Sequence, residues 1–167
     1  WLLIGLSIGQ RVSDLLRLNP VQIRSAEHGL YIDIIQQKTE KHVTVGLIDP
    51  DVVDILKKDF PYKISQQLFN KQLKELCKYA EINQPVKAYK LCPKTRRRVL
   101  GIYPKYSVIS SHDLRRSFAT NYFGKIETPI LMQITGHSKE TTFLSYIGQN
   151  VNKDAYADAF MKVAVTL

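Results

Sequence analysis

The chain has 167 residues, 44% of them hydrophobic, and a formal net charge of +9 at pH 7, which fits a single domain around one core. No run approaches the roughly 18 apolar residues of a membrane span and no secretory signal is visible. The two cysteines, Cys77 and Cys92, form no metal-spaced cluster and read as inert thiols; the basic balance points to a polyanionic partner, nucleic acid before membrane.

Residues 1–8 are apolar on most sides and predict a buried helix, with Gly9 as its C-cap. Because Trp1 opens directly in helix interior, the chain is expected to be a piece of a longer protein. Gln10 and Arg11 lie in the following turn. Ser13 is expected to cap a short helix, 14–18, which Asn19-Pro20 ends. Arg11 thus leaves a helix–helix junction, from which a long side chain can reach a cleft.

Two β-rich, partly alternating runs, 31–35 and 42–47, flank the polar stretch Gln36-Gln37-Lys38-Thr39-Glu40-Lys41, which predicts a hairpin with a polar tip. Lys38 and Lys41 can each reach an anion from there. His28 and His42 have no chemical company and read as structural. Pro50 opens a helix to about Lys58, and Ser65 caps a longer one to about Tyr79; both read as scaffold, with Lys71, Lys74 and their neighbours as solvated charge.

Residues 84–109 change character: prolines break helices and β-type residues dominate. From Lys87 to Arg116 nine Lys or Arg stand against the single Asp113. The centre is Lys94, Arg96, Arg97 and Arg98, followed by Tyr103, Lys105 and Tyr106. Basic turns with interleaved tyrosines suit backbone phosphates, so Lys94, Arg96, Arg97, Arg98, Lys105 and Arg116 are the expected DNA contacts.

Ser110 and Ser111 can cap a helix that carries His112 and Arg115, three residues apart. Thr128-Pro129 starts the next helix and Gly136 stops it. Ser138 is expected to cap a third, with Tyr146 about two turns in and His137 just before the cap. A helix N-terminus beside a His and an Arg is a natural place for a phosphate. After Gly148, Asn152 is expected to cap a last helix, 153–165, with an apolar stripe.

His-x-x-Arg, then Gly-His, then Tyr nine residues after that His resembles the catalytic end of the tyrosine recombinases, or phage integrases. The resemblance extends over nearly the whole chain. Ile8-Gly9-Gln10-Arg11-Val12-Ser13-Asp14-Leu15 matches the context of that family's first Arg, and Gln37-Lys38-Thr39 stands where the family has a hairpin Lys. The family implies an α+β, mainly helical catalytic domain with a small antiparallel β-hairpin or sheet, spanning 1–167. Its N-terminal core-binding domain is expected to lie outside this chain. Gln10 stands where an apolar residue is common, Thr135 where Leu is frequent, and no His follows Tyr146 at plus two.

The chemistry so implied is metal-free phosphoryl transfer, with no cofactor and no metal. Tyr146 is the nucleophile toward a DNA phosphate. Arg11 and Arg115 hold the non-bridging oxygens, and His137 donates to the same oxygens. His112 assists deprotonation of the Tyr, and Lys38 protonates the departing 5′ oxygen. The implied partner is double-stranded DNA at recombination sites. The implied assembly is a tetramer on DNA, with the C-terminal helix docked into a neighbouring subunit, and a monomer without DNA. The implied location is the cytoplasm, on the nucleoid of a bacterium, encoded by a phage or other mobile element. A type IB topoisomerase uses similar chemistry without a specific site. A non-catalytic DNA-binding module would need only the basic segment, and a basic scaffold explains least of the pattern.

Overall fold

In the computed structural model, which describes residues 1–93, 95–148 and 161, the first apolar run forms α1 (Leu2–Ile8). It buries Ile4, Gly5 and Ile8 and closes on Gly9 in the left-handed conformation, φ 63°. The next helix is earlier and shorter than expected: α2 is Val12–Leu15, and Arg11, not Ser13, occupies its N-cap position. Asn19 caps a single 3-10 turn, Pro20–Gln22, by accepting from the Val21 amide.

A three-stranded antiparallel sheet follows, ordered β1 (Ile23–Ala26), β2 (Gly29–Ile35), β3 (His42–Leu47). The alternation read from the sequence decides its faces: Leu30, Ile32 and Ile34 of β2 and Val43, Val45 and Leu47 of β3 point into the core. β1 was not expected. It is four residues long and presents Arg24 and Ser25 outward, too short and too polar to show a period.

Helices α3 (Pro50–Lys58) and α4 (Gln66–Tyr79) begin at Asp49 and Ser65, whose side chains accept from Asp51 and Leu68 amides. The basic segment is a two-stranded antiparallel ribbon, β4 (Pro85–Leu91) and β5 (Arg98–Pro104), with the arginines at its turn. A short helix α5 (Lys105–Val108) leads into α6 (Ser111–Tyr122), then α7 (Thr128–Thr135) and α8 (Glu140–Tyr146). Glu127 and Lys139 hold the N-cap positions of α7 and α8, so neither Thr128 nor Ser138 is a cap. The expected helix 153–165, apart from residue 161, and Lys94 lie outside the described residues.

The apolar side chains gather in two clusters. One joins α1, the sheet, α3 and α4 through Ile4, Ile32, Val45, Val52, Phe69 and Leu73. The other joins α6, α7 and α8 through Phe118, Leu131, Phe143 and Leu144. Each such fully buried side chain contributes about 1.5–3 kcal/mol. Helix α6 spans the seam, with Leu114 in the first cluster and Phe118 in the second. Arg115 therefore sits between two cores.

Candidate active site

Four segments meet at that seam: the α1–α2 turn, the β2–β3 tip, the start of α6, and the α7–α8 turn with the end of α8. Each is placed by a local device. On α6, Asp113 accepts from the Ser110 amide at 2.8 Å and from its hydroxyl at 3.1 Å, and Asn70 of α4 accepts from the Ser111 amide at 2.8 Å. The acidic residue beside the His-x-x-Arg pattern is thus occupied by the helix start. At the tip, Glu40 turns the chain with φ 54°, and the Gln37 amide donates to Asp14 Oδ1 at 2.8 Å.

Arg115 is 2% exposed. Its guanidinium donates to the Gly9 carbonyl at 3.2 Å and to the Thr135 carbonyl. Burial first, then the charge of Arg11, pushes its pKa down to about 10, so it stays protonated at pH 7. The ion pairs among the described residues are Arg24–Asp33, Lys58–Asp54 and Lys71–Glu75, all away from this site. Arg11 and Arg115 accordingly lie together with no carboxylate of the described residues bridging them.

Arg11 is held by the side chain of Gln36, 0% exposed, whose Oε1 accepts from Arg11 Nη1 at 3.0 Å and from the Thr39 hydroxyl at 2.7 Å. Gln36 Nε2 donates to Gln10 Oε1 at 2.8 Å, and Gln10 Nε2 donates to the carbonyls of Ile8 and Ile134 at 3.1 and 2.7 Å. This buried amide pair connects the Arg11 turn, the hairpin tip and α7. Only glycine fits at the α7 end: Gly136 has φ 68°, and a Cβ there would stand 2.1 Å from Gln36 Oε1.

Arg11, Lys38, His112 and Arg115 line one cleft of about 450 Å³, together with Asn70 and Lys74 of α4. Two other clefts, about 530 and 620 Å³, are larger, so size does not mark the site; convergent charge does. Lys41 points elsewhere, donating to the Ser138 hydroxyl at 3.0 Å. The structure thus separates the two hairpin lysines, one into the cleft and one onto the α7–α8 turn.

Tyr146 ends α8. Its hydroxyl donates to the backbone carbonyl of His112 at 3.3 Å, while the His112 ring stands edge-on with centroids 5.1 Å apart. The Arg115 and Arg116 guanidinium carbons lie 6.0 and 5.3 Å from the Tyr146 ring centroid. Burial raises the phenol pKa, and the charges of Arg115 and Arg116 only partly oppose it. His137 lies between Phe143 and Tyr146, with ring centroids at 5.3 and 5.1 Å. Burial, then Arg115, Arg11 and Lys41, pushes His137 down to about 4. Burial and the same kind of cationic surroundings lower His112. The arrangement offers two fixed cations, two imidazoles favoured in their neutral form and a phenol, which is the equipment for gripping a phosphate and attacking it.

The other expected DNA contacts are more dispersed. Arg116 and Lys105 line the 620 Å³ cleft between α6 and β4. Arg96, Arg97 and Arg98 are exposed at the ribbon turn, where Arg96 has φ 52°. Sequence reasoning missed Gln36 and Lys74 as neighbours of the site. A polar Gln and a Lys carry no local mark of burial or of a cleft when their partners are distant in the chain. Among the described residues no group of three His, Cys, Asp or Glu could hold a metal ion.

The chain as a whole has counterparts among known proteins. The profile of the phage integrase family matches residues 1–153, and the chain belongs to that family. Among solved structures, XerH site-specific recombinase bound to difH substrate, a pre-cleavage complex, is similar with a TM-score of 0.62 at 19% identity; 95% of this chain covers 44% of that one. XerA recombinase gives 0.58 at 18% identity, with 95% and 55% covered. The Tn1549 transposon integrase in complex with transposon right end DNA gives 0.58 at 16%, with 97% and 57% covered. The fold is that of a tyrosine recombinase catalytic domain, and the chain spans about half the length of these structures. No curated protein matches the chain.

Proposed function

We propose that this chain is the catalytic domain of a site-specific DNA recombinase that cleaves and rejoins strands through a 3′-phosphotyrosyl intermediate. The observation that carries the reading is the buried, protonated Arg115 beside Arg11 and Tyr146, with no carboxylate of the described residues in ion-pair contact with it; the charge of Asp14 opposes its deprotonation only from a distance. Such a pair of guanidiniums lacks an anion, and a phosphodiester supplies one with two non-bridging oxygens in a matching fork.

In this mechanism the Tyr146 oxygen attacks phosphorus. The P–O5′ bond breaks, and the 5′ oxygen takes a proton from Lys38. Arg11 and Arg115 bind the non-bridging oxygens as charge builds, with His137 donating a hydrogen bond to them. The phenol loses its proton to His112, whose lowered pKa keeps a free lone pair at neutral pH. The ester conserves the bond energy, so a second 5′ hydroxyl can displace Tyr146 and reseal the strand. Double-stranded recombination sites would be the substrate, bound also by Lys94, Arg96, Arg97, Arg98, Lys105 and Arg116. A tetramer on DNA with the C-terminal helix docked in trans, a monomer without DNA, and a place on the nucleoid in the cytoplasm complete the reading. Among the described residues no helix is long and apolar enough to cross a membrane.

The test is covalent trapping on a nicked suicide substrate that carries a recombination site. The unaltered chain should form a DNA–protein adduct that maps to Tyr146. Tyr146→Phe should bind DNA normally and form none. An adduct mapped to Tyr122 or Tyr156 would overturn the assignment.

A further inference from the structure

Thr135 is fully buried at the end of α7 and serves two of the proposed groups at once. Its carbonyl accepts from Arg115. Its hydroxyl lies 2.8 Å from His137 Nδ1 and 2.6 Å from the Leu131 carbonyl. The hydroxyl carries one hydrogen and has two neighbours to give it to. If it donates to Leu131, Nδ1 must carry the His137 proton, and Nε2 is left as a bare lone pair. If it turns to Nδ1, the imidazole proton sits on Nε2.

In the structure the hydroxyl donates to the Leu131 carbonyl; we propose that Thr135 is the positioning residue for His137, its hydroxyl holding Nδ1 inward and, when a phosphate is bound, turning from Leu131 to donate to Nδ1 so that Nε2–H faces the phosphate. The inference rests on the active-site reading above, in which His137 is a hydrogen-bond donor. A neutral imidazole donates through one nitrogen only, so whichever group occupies the other nitrogen decides whether the ring can serve. His137 is neutral at pH 7, with its pKa near 4, so it has no second proton to spare. A Thr here, at hydrogen-bond distance from Nδ1, is the specific observation.

The experiment compares Thr135→Val and Thr135→Ser. Valine keeps the shape and the carbonyl that binds Arg115, and removes only the hydroxyl. Serine keeps the hydroxyl and gives up a buried methyl, so it is the less stable of the two on packing grounds. Packing and positioning therefore predict opposite orders. The expected result is that T135S forms the Tyr146 adduct at nearly the rate of the unaltered chain, while T135V is slowed about tenfold or more, the rate equivalent of one buried hydrogen bond. Urea unfolding should show both variants folded at the assay temperature, and DNA affinity should be unchanged in both. Nitrogen-15 NMR of DNA-bound Tyr146→Phe should show His137 protonated on Nε2, and adding Thr135→Val should shift that signature. Equal rates for the two variants, slowing of T135S alone, or an unaltered His137 spectrum would each overturn the proposal. Failure of the unaltered chain to form a Tyr146 adduct would instead overturn the reading beneath it.

Discussion

Gly136→Ala is the most informative single change, because the structure separates its effect into two parts. The first is backbone: an L-residue in the left-handed region costs about 1–2 kcal/mol, and Gly136 has φ 68°. The second is steric. The new Cβ would stand 2.1 Å from Gln36 Oε1 and 2.7 Å from its Cδ, so the buried amide must leave. Its departure strips Arg11 and Thr39 of an acceptor and Gln10 of a donor. A polar group left unsatisfied costs about 1–3 kcal/mol when buried, and three such groups with the backbone part bring the total to about 4 kcal/mol or more. Gly124→Ala is the control, with φ 78° and nothing within 4 Å of the added carbon; it carries the backbone part alone. In urea, with a slope of about 2 kcal/mol per molar, the midpoint should fall by about 2 M for G136A and by about 0.5 M for G124A. Equal shifts in the two variants would refute the reasoning, since they would mean that Gln36 is not wedged against the Gly136 backbone.

Three further outcomes follow. If Lys38 protonates the leaving oxygen, Lys38→Ala should cleave a normal substrate poorly and a substrate with sulfur at the 5′ bridging position almost normally, because a thiolate leaves without a proton. Lys41→Ala should show no such rescue, and the reverse pattern would swap the two lysines. Neutralising Arg96, Arg97 and Arg98 together should weaken binding across sequences and flatten its log–log salt slope by about 0.9 for each phosphate that the triple variant no longer neutralises; an unchanged slope would remove them from the interface. Because the folded chain holds His137 near pH 4 while the free imidazole titrates near 6.5, the unfolded state binds the extra proton in between, and stability should fall as pH drops through that window. His137→Gln should flatten that part of a urea-midpoint profile, and an unchanged profile would show that the imidazole is not held neutral.

The elements that announce themselves in the sequence are those with a local cause. The β2–β3 hairpin follows from β-rich, partly alternating runs whose Ile32, Ile34, Val43, Val45 and Leu47 turn inward, and α3 and α4 from capped amphipathic periods. Strand β1 has no such cause; it exists because β2 offers it an edge. The serines expected to cap α2 and α8 have other positions. Ser13 falls inside its helix, and the Ser138 hydroxyl accepts from Lys41, 97 residues away in the chain. Tertiary partners outbid local capping there. The site was legible for a different reason: Arg11, His112, Arg115, His137 and Tyr146 form a pattern that a family resemblance can read. Gln36 is not part of any pattern. Its burial comes from Gln10, Arg11 and Gly136, which the fold brings together and the sequence keeps apart.

How the fold tolerates Arg115 bears on what the site can bind. Burying an unpaired cation costs several kcal/mol, and the ordinary remedy, a carboxylate at ion-pair distance, is not used among the described residues. The guanidinium instead meets the carbonyls of Gly9 and Thr135. These groups stand where α1 and α7 end, and each helix closes on a glycine in the left-handed conformation, Gly9 and Gly136. A helix C-terminus carries unpaired carbonyls and a partial negative charge, so two of them aimed at one guanidinium ease its burial without cancelling it. A carboxylate would have satisfied Arg115 and competed with any incoming anion. Carbonyls take two of its five N–H donors and leave a net charge, which Arg11 reinforces. The residual repulsion between the two arginines disfavours the empty site and is relieved when an anion arrives. In the proposed reaction, the same glycines that stop the helices would therefore prepare the pocket for a phosphate: they end each helix at the point where its last carbonyls can face the arginine.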